Sequence, residues 1–156
     1  MVGIQKIFLK NNPMYLERIL IANYRSCSNI DVAIYKDEPN IFIGINDSGK
    51  TSILKSIGLL LDEKPNYNSI KDNSSKKDFS NTPISESDFT AILTKYNLPA
   101  LPYSVNQTIV IGKFSLEDGD IDESNLGNYS DQFLWAIEKA GNTIWLARVF
   151  ESNSSN

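Results

Sequence analysis

Gly44-Ile45-Asn46-Asp47-Ser48-Gly49-Lys50-Thr51 satisfies the spacing G-x-x-x-x-G-K-[ST]. Each residue type in that pattern has a physical reason to be there. Gly44 and Gly49 permit backbone conformations, and a closeness of approach, that a Cβ forbids. The N–H groups of such a loop converge on phosphate oxygens, and a helix opening at Gly49–Lys50 points its positive end at the same place. Lys50 is the residue to reach the β- and γ-phosphates, and it is the candidate catalytic residue. The Thr51 hydroxyl is the candidate Mg²⁺ ligand. The predicted ligands are therefore ATP and Mg²⁺, held by Gly44, Asn46, Asp47, Ser48, Gly49, Lys50 and Thr51. The competing reading is a glycine-containing strand-to-helix turn with a solvated lysine.

Such a loop works only if the flanking elements hold it. The apolar run Ile41-Phe42-Ile43 predicts a buried central strand feeding straight into Gly44. After Gly49, Ile53, Leu54, Ile57, Leu60 and Leu61 recur at helical spacing, and Lys64-Pro65 ends the run. Upstream, strands are expected at Met14–Ala22 and Ile30–Tyr35, separated by the polar turn Asn23-Tyr24-Arg25-Ser26. Residues 1–13 read as a leader, and Pro65–Pro83 as a long polar surface loop rich in Asn, Ser, Lys and Asp. A helix is expected from Ile84 to Tyr96 with Ser85 or Ser87 as its N-cap. Thr108–Leu116 and Thr143–Phe150 read as strands, Ser130–Lys139 as a helix, Gly141-Asn142 as a turn and 152–156 as a disordered tail. The expected fold is α/β with a mixed sheet, in one domain over 14–151.

Composition narrows the chemistry further. The 156-residue chain has no histidine and one cysteine, Cys27. An intramolecular disulfide is thus excluded, as are Cys-based metal sites and every Ser-His or Cys-His arrangement. The formal net charge of −4 leaves no basic footprint for DNA or RNA on this segment, so DNA is expected only through a larger assembly. No stretch approaches the ~20 apolar residues that cross a bilayer, and the chain reads as soluble and cytoplasmic.

The order strand, Asn23-Tyr24-Arg25-Ser26, strand, then Ile43-Gly44-Ile45-Asn46-Asp47-Ser48-Gly49-Lys50-Thr51-Ser52 resembles the N-terminal lobe of ABC/SMC-type ATPases. It resembles RecF-like proteins and especially the overcoming-lysogenisation-defect (OLD) family, to which Ile84-Ser85-Glu86-Ser87-Asp88-Phe89 is also similar. The resemblance is good over Leu16–Leu61 and looser over Ile84–Leu116. It implies that Arg25 lies near the nucleotide and that Ser52 belongs to the phosphate-binding set. It also implies an ATPase that forms a homodimer or higher oligomer around ATP, coupled to a fused or separate nuclease in DNA processing or anti-phage defence.

The chain departs from that pattern in two places. The expected second apolar strand ending in Asp-Glu is absent. Its nearest counterpart, Ile144-Trp145-Leu146-Ala147-Arg148-Val149-Phe150-Glu151, has an arginine inside it. No segment resembles the L-S-G-G signature. The chain thus reads as the front part of an ATPase, binding nucleotide weakly and hydrolysing it poorly when alone. The alternatives are a non-catalytic module whose assembly is toggled by ATP, and a small kinase or GTPase lacking the N-K-x-D motif.

Weaker signals have simpler readings. Gln107 and Gln132 are candidate water-positioning glutamines in undistinguished contexts. Glu117, Asp118, Asp120, Asp122 and Glu123 do not have EF-hand spacing and read as an acidic loop. Asp88 suits the first turn of a helix, and Lys71, Lys76 and Lys77 suit a solvated linker. Tyr24, Trp135 and Trp145 read as packing aromatics.

Overall fold

The computed structural model describes residues 15–45, 48–61, 79–115 and 134–151. Seven elements follow in chain order: β1 (Tyr15–Tyr24), β2 (Cys27–Ala33), α1 (Lys50–Leu61), α2 (Glu86–Lys95), β3 (Gln107–Ser115), β4 (Leu134–Ala140) and β5 (Thr143–Glu151). The strands form a single sheet in the order β2-β1-β3-β5-β4.

The apolar runs of β1, β3 and β5 are nearly continuous because the sheet is covered on both faces. Alternation sorts their side chains. Ile19, Ile21, Val110, Phe114, Ile144, Leu146 and Phe150 form one core with Ile53, Leu59 and Leu60 of α1. Leu20, Ala22, Ile109, Ile111, Trp145, Ala147 and Val149 form the other with Phe89 and Leu93 of α2. Gly112 of β3 lets α1 come close, since a Cβ there would stand 2.4 Å from Leu60 Cδ2.

Two devices fix the helices. The last turn of α1 has no basic residue of its own, and the buried Arg148 of β5 donates from Nη1 to the Leu59 carbonyl at 2.8 Å. The arginine that interrupts the apolar run of β5 is thus a clamp on the helix that follows Gly49. In α2, Ser85 caps the N-terminus by accepting from the Asp88 amide. At the other end Asn97 takes a left-handed φ of 54°, and Leu98 N–H donates to the Leu93 carbonyl at 2.9 Å, a Schellman closure. Asp31 of β2 ties this helix to the sheet edge through Arg18, Lys95 and Tyr96.

Three expectations need correction. Every strand pairing among the described residues is antiparallel, so the sheet is not mixed. Ile41-Phe42-Ile43 is not a buried central strand. It has no ladder partner among the described residues, and Ile41 and Ile43 are 75% and 91% exposed. The cause is local: the Asn40 side chain closes the loop after β2, accepting from Tyr35 N–H and donating to the Tyr35 carbonyl. The chain thereby leaves the sheet before the apolar run begins. Finally, the segment read as a helix over Ser130–Lys139 contains β4 instead. Gly141, with φ of 57°, opens a two-residue hairpin turn that pairs Ala140 with Thr143, and antiparallel pairing follows from it.

Candidate nucleotide-binding site

The end of β1 builds the floor of the site. Asn23 is fully buried with φ of 59°, a left-handed conformation that asparagine tolerates better than most residues. Its side chain and carbonyl form a closed set of hydrogen bonds. Nδ2 donates to the Tyr103 hydroxyl at 2.9 Å and the Gln107 carbonyl at 3.2 Å, and Oδ1 accepts from Ile84 N–H at 2.9 Å. The carbonyl accepts from Ser80 N–H and from the Thr108 hydroxyl. A buried polar group satisfied this fully fixes one geometry. Asn23 therefore anchors both the turn that follows it and the 79–84 segment that crosses it.

That turn carries Arg25, which also has a left-handed φ, 52°. A non-glycine residue held there costs roughly 1–2 kcal/mol, a strain that tends to collect at functional positions. Its guanidinium lies over the Tyr24 ring at 5.4 Å, and the ring itself is buried in the α1-side core. The next strand begins with Cys27, which is buried and whose Sγ contacts the Gly49 carbonyl at 3.8 Å. Burial raises the Cys27 pKa, against the opposing hydrogen bond with Ser26, and the thiol stays protonated at neutral pH. It is a packing residue.

Gly49 has φ of 89°, and a Cβ would stand 3.2 Å from both Cys27 Sγ and Ser26 Oγ. The positive φ calls for glycine there, and the clearance above Cys27 and Ser26 is tight. The Gly49 carbonyl accepts from Ile53 N–H at 2.9 Å and so starts α1. Lys50 Nζ donates to the carbonyls of Gly44 and Ile45 at 2.7 and 2.6 Å and to Ser48 Oγ at 3.1 Å. The ammonium thus stands at the mouth of the loop.

Together these residues border an open cavity of about 980 Å³. One wall is Ser48, Gly49, Lys50, Thr51 and Ser52, the floor is Arg25 and Ser26, and the far wall is Phe79–Thr82. The volume lies at the top of the ~300–1,000 Å³ range of sites that hold a whole small molecule. Cationic Lys50 and Arg25, the first amides of α1 and several hydroxyls make an anion the fitting occupant. The described lining residues include no Asp or Glu, and the described residues hold no metal-binding cluster of His, Cys, Asp and Glu. Thr51, the candidate Mg²⁺ ligand, is among the lining residues that carry a hydroxyl.

Of the predicted site residues, Arg25, Ser48, Gly49, Lys50, Thr51 and Ser52 are brought together, with the Gly44 carbonyl on Lys50. Asn46 and Asp47 lie outside the described residues, as do Gln132, Lys71, Lys76, Lys77 and the acidic stretch 117–123. Gln107 is buried at the start of β3, donates to Glu151 at 2.9 Å and does not line the cavity. Asp88 accepts from the Ser85 hydroxyl in the α2 cap. Trp145 packs on Tyr96 in the core. The sequence pattern marks Asn23 as part of a polar turn but does not show its buried anchoring role, and it does not show the Phe79–Thr82 lining. The only signal for Asn23 was its place before Tyr24-Arg25-Ser26.

The family described as the AAA ATPase domain matches residues 14–143, a span that includes this cavity and all five strands at least in part. The chain belongs to the AAA ATPase domain family. This AAA ATPase domain is also similar to the DNA replication and repair protein RecF of Clostridium botulinum. The RecF proteins of strains Eklund 17B (Type B) and Alaska E43 (Type E3) are each 43% identical to it over 44 residues. That stretch is 28% of this chain and 12% of either relative. No solved structure matches the chain. No helix among the described residues is long and apolar enough to cross a membrane.

Proposed function

We propose that the domain binds ATP with Mg²⁺ in the cavity between α1 and the Phe79–Thr82 wall. The observation that carries this is the convergence of Gly49, Lys50 and Thr51 at the start of α1 with Arg25 from the β1–β2 turn. In this reading Lys50 leaves the loop carbonyls for the β- and γ-phosphates, and Arg25 neutralises phosphate charge from the floor. Asn46, Asp47, Ser48 and Ser52 complete the phosphate cradle, and Thr51 supplies one oxygen to the metal. Bound Mg²⁺ offsets phosphate charge.

Hydrolysis needs a group that orients water, and no described lining residue is a carboxylate. We therefore place turnover in a longer or assembled ATPase of which residues 14–151 are the N-terminal lobe. Ile41, Ile43 and Ile45, all exposed at alternate positions, support this reading, because such a segment is suited to pairing with a further strand. By the sequence resemblance to OLD-type proteins, that assembly is a homodimer or higher oligomer coupled to a nuclease, and DNA meets it there. The matched RecF relatives, named for DNA replication and repair, agree with a DNA-directed role.

The test is a titration of labelled ATP with and without Mg²⁺, on the wild type and on Thr51→Ala. The wild type should bind saturably and more tightly with Mg²⁺, and Thr51→Ala should lose that gain. A wild type that fails to bind, or a Thr51→Ala protein with the full Mg²⁺ gain, would contradict the assignment.

A further inference from the structure

None of the described residues lining the cavity belongs to α2, yet the start of that helix is fixed from the cavity side. Thr82, the last residue of the far wall, is followed by Pro83, Ile84 and the N-cap Ser85. Ile84 is held at both backbone groups. Its N–H donates to Asn23 Oδ1 at 2.9 Å, and its carbonyl accepts from the Tyr103 hydroxyl. That hydroxyl accepts in turn from Asn23 Nδ2 at 2.9 Å. The Tyr103 ring stacks on Phe89 of α2, with centroids 4.9 Å apart. Asn23 also precedes Arg25 of the cavity floor by two residues. Floor, wall and helix therefore meet at Asn23, Ile84 and Tyr103. The helix depends on this seat, because it buries only Phe89 and Leu93 over ten residues, where α1 buries five residues over twelve. A helix that short is marginal alone, and elements with few buried contacts open before the rest of a domain.

We infer that α2 responds to the ligand of the cavity: occupation steadies the Arg25 floor and the Phe79–Thr82 wall, and Asn23, Ile84 and Tyr103 pass that stiffening to the helix. The inference rests on the nucleotide reading of the cavity and adds an element that the ligand does not touch. No displacement is needed. A ligand that binds only with the wall in place disfavours every opening that unseats the wall, and α2 opens with its seat. The outer face of α2, exposed at Glu86, Thr90, Thr94 and Lys95, then carries the state of the cavity to the surface. Asn23 and Tyr103 act as positioning residues.

Amide hydrogen exchange on the full chain tests the coupling, with and without MgATP at about 100 times its Kd. The proteins are the wild type and Tyr103→Phe, which removes the hydroxyl and keeps the ring on Phe89. In the free wild type, α2 amides should exchange faster than those of β3. MgATP should slow them by about 10-fold or more, toward a ceiling of about 100-fold at that ligand excess. Tyr103 does not line the cavity, so Tyr103→Phe should bind MgATP within about 3-fold of wild type. Its α2 slowing should fall below about 3-fold. Two wild-type results would each overturn the inference and leave the ATP site standing: free α2 exchanging no faster than β3, or bound MgATP leaving α2 unslowed. Equal slowing in the wild type and Tyr103→Phe overturns it as well. A wild type that does not bind MgATP overturns both readings.

Discussion

Gly112→Ala tests how α1, and with it the Gly44–Lys50 segment that leads into it, is seated on the sheet. Gly112 lies in β3 between Ile19 of β1 and Leu146 of β5. A Cβ at this position would lie 2.4 Å from Leu60 Cδ2, 2.8 Å from Phe114 Cε2 and 3.0 Å from Leu16 Cδ1. Ordinary contact begins at 3.4 Å, so Leu60 must retreat by about 1 Å. Leu60 is only 2% exposed and Phe114 1%, so neither has free space to enter. Overpacking of this kind costs ~1–3 kcal/mol, which lowers a urea midpoint by roughly 1 M for a domain of this size. Gly58→Ala in the same helix is the control. Nothing lies within 4 Å of its Cβ position, so it should gain ~0.5–1 kcal/mol from helix propensity alone. Leu60 is at the end of α1 remote from Lys50, and ATP affinity of folded Gly112→Ala should stay within about 2-fold of wild type. An unchanged urea midpoint for Gly112→Ala would show that α1 does not pack on β3 as described.

Arg148→Ala removes a cationic donor from the Leu59 carbonyl and should lower stability by about 2 kcal/mol or more in urea melts. A loss under ~0.5 kcal/mol, the ordinary surface value, would mean the clamp is idle. Ser85→Ala deletes the cap of α2 and should cost ~1 kcal/mol; an unaltered thermal midpoint would refute the cap. Burial raises the Asp31 pKa, but hydrogen bonds from Lys95, Tyr96 and Arg18 and the Arg18 charge outweigh it and hold it below the ordinary carboxylate value. A lowered folded pKa gives stability that is present above the unfolded value and is lost as pH falls through the folded one. Asp31→Asn should thus be roughly 1 kcal/mol less stable near neutrality, since the group is partly exposed, with the gap closing in acid below about pH 4. A gap that widens in acid would contradict the sign.

How much of this could be read in the sequence depended on range. The helix after Gly49 is a local pattern, and its spacing sufficed to place it. β1, β3 and β5 were legible as apolar runs, although nothing in the runs themselves says which neighbours they take. Ile41–Ile43 has the composition of a buried strand, but a strand exists only with a partner, and the Asn40 loop turns this one away from the sheet. Phe133, Leu134 and Ile137 have the spacing of a helix, although β4 stands at Leu134–Ala140. The Gly141-Asn142 pair just beyond was the better guide, since a two-residue turn opening on glycine dictates a hairpin. The Phe79–Thr82 wall was illegible for another reason. It sits at the end of a polar stretch, and hydrogen bonds that it donates to Asn23, 57 residues before Ser80, with the Phe79–Tyr24 bridge, hold it at the cavity. Long-range ties of that sort leave no periodicity behind.

The central claim is that Lys50 and its loop hold the phosphates of ATP. Labelled ATP titrated with Mg²⁺ into the wild type and Lys50→Ala, both verified as folded, tests it most directly. Lys50 is half-buried, and its ammonium bonds to Gly44, Ile45 and Ser48 of its own loop, so its removal should leave the sheet and both helices intact. Saturable binding by the wild type, lost or weakened by 10-fold or more in Lys50→Ala, is the predicted result, one tenfold step being about 1.4 kcal/mol. Indistinguishable binding curves for the two proteins would contradict the account.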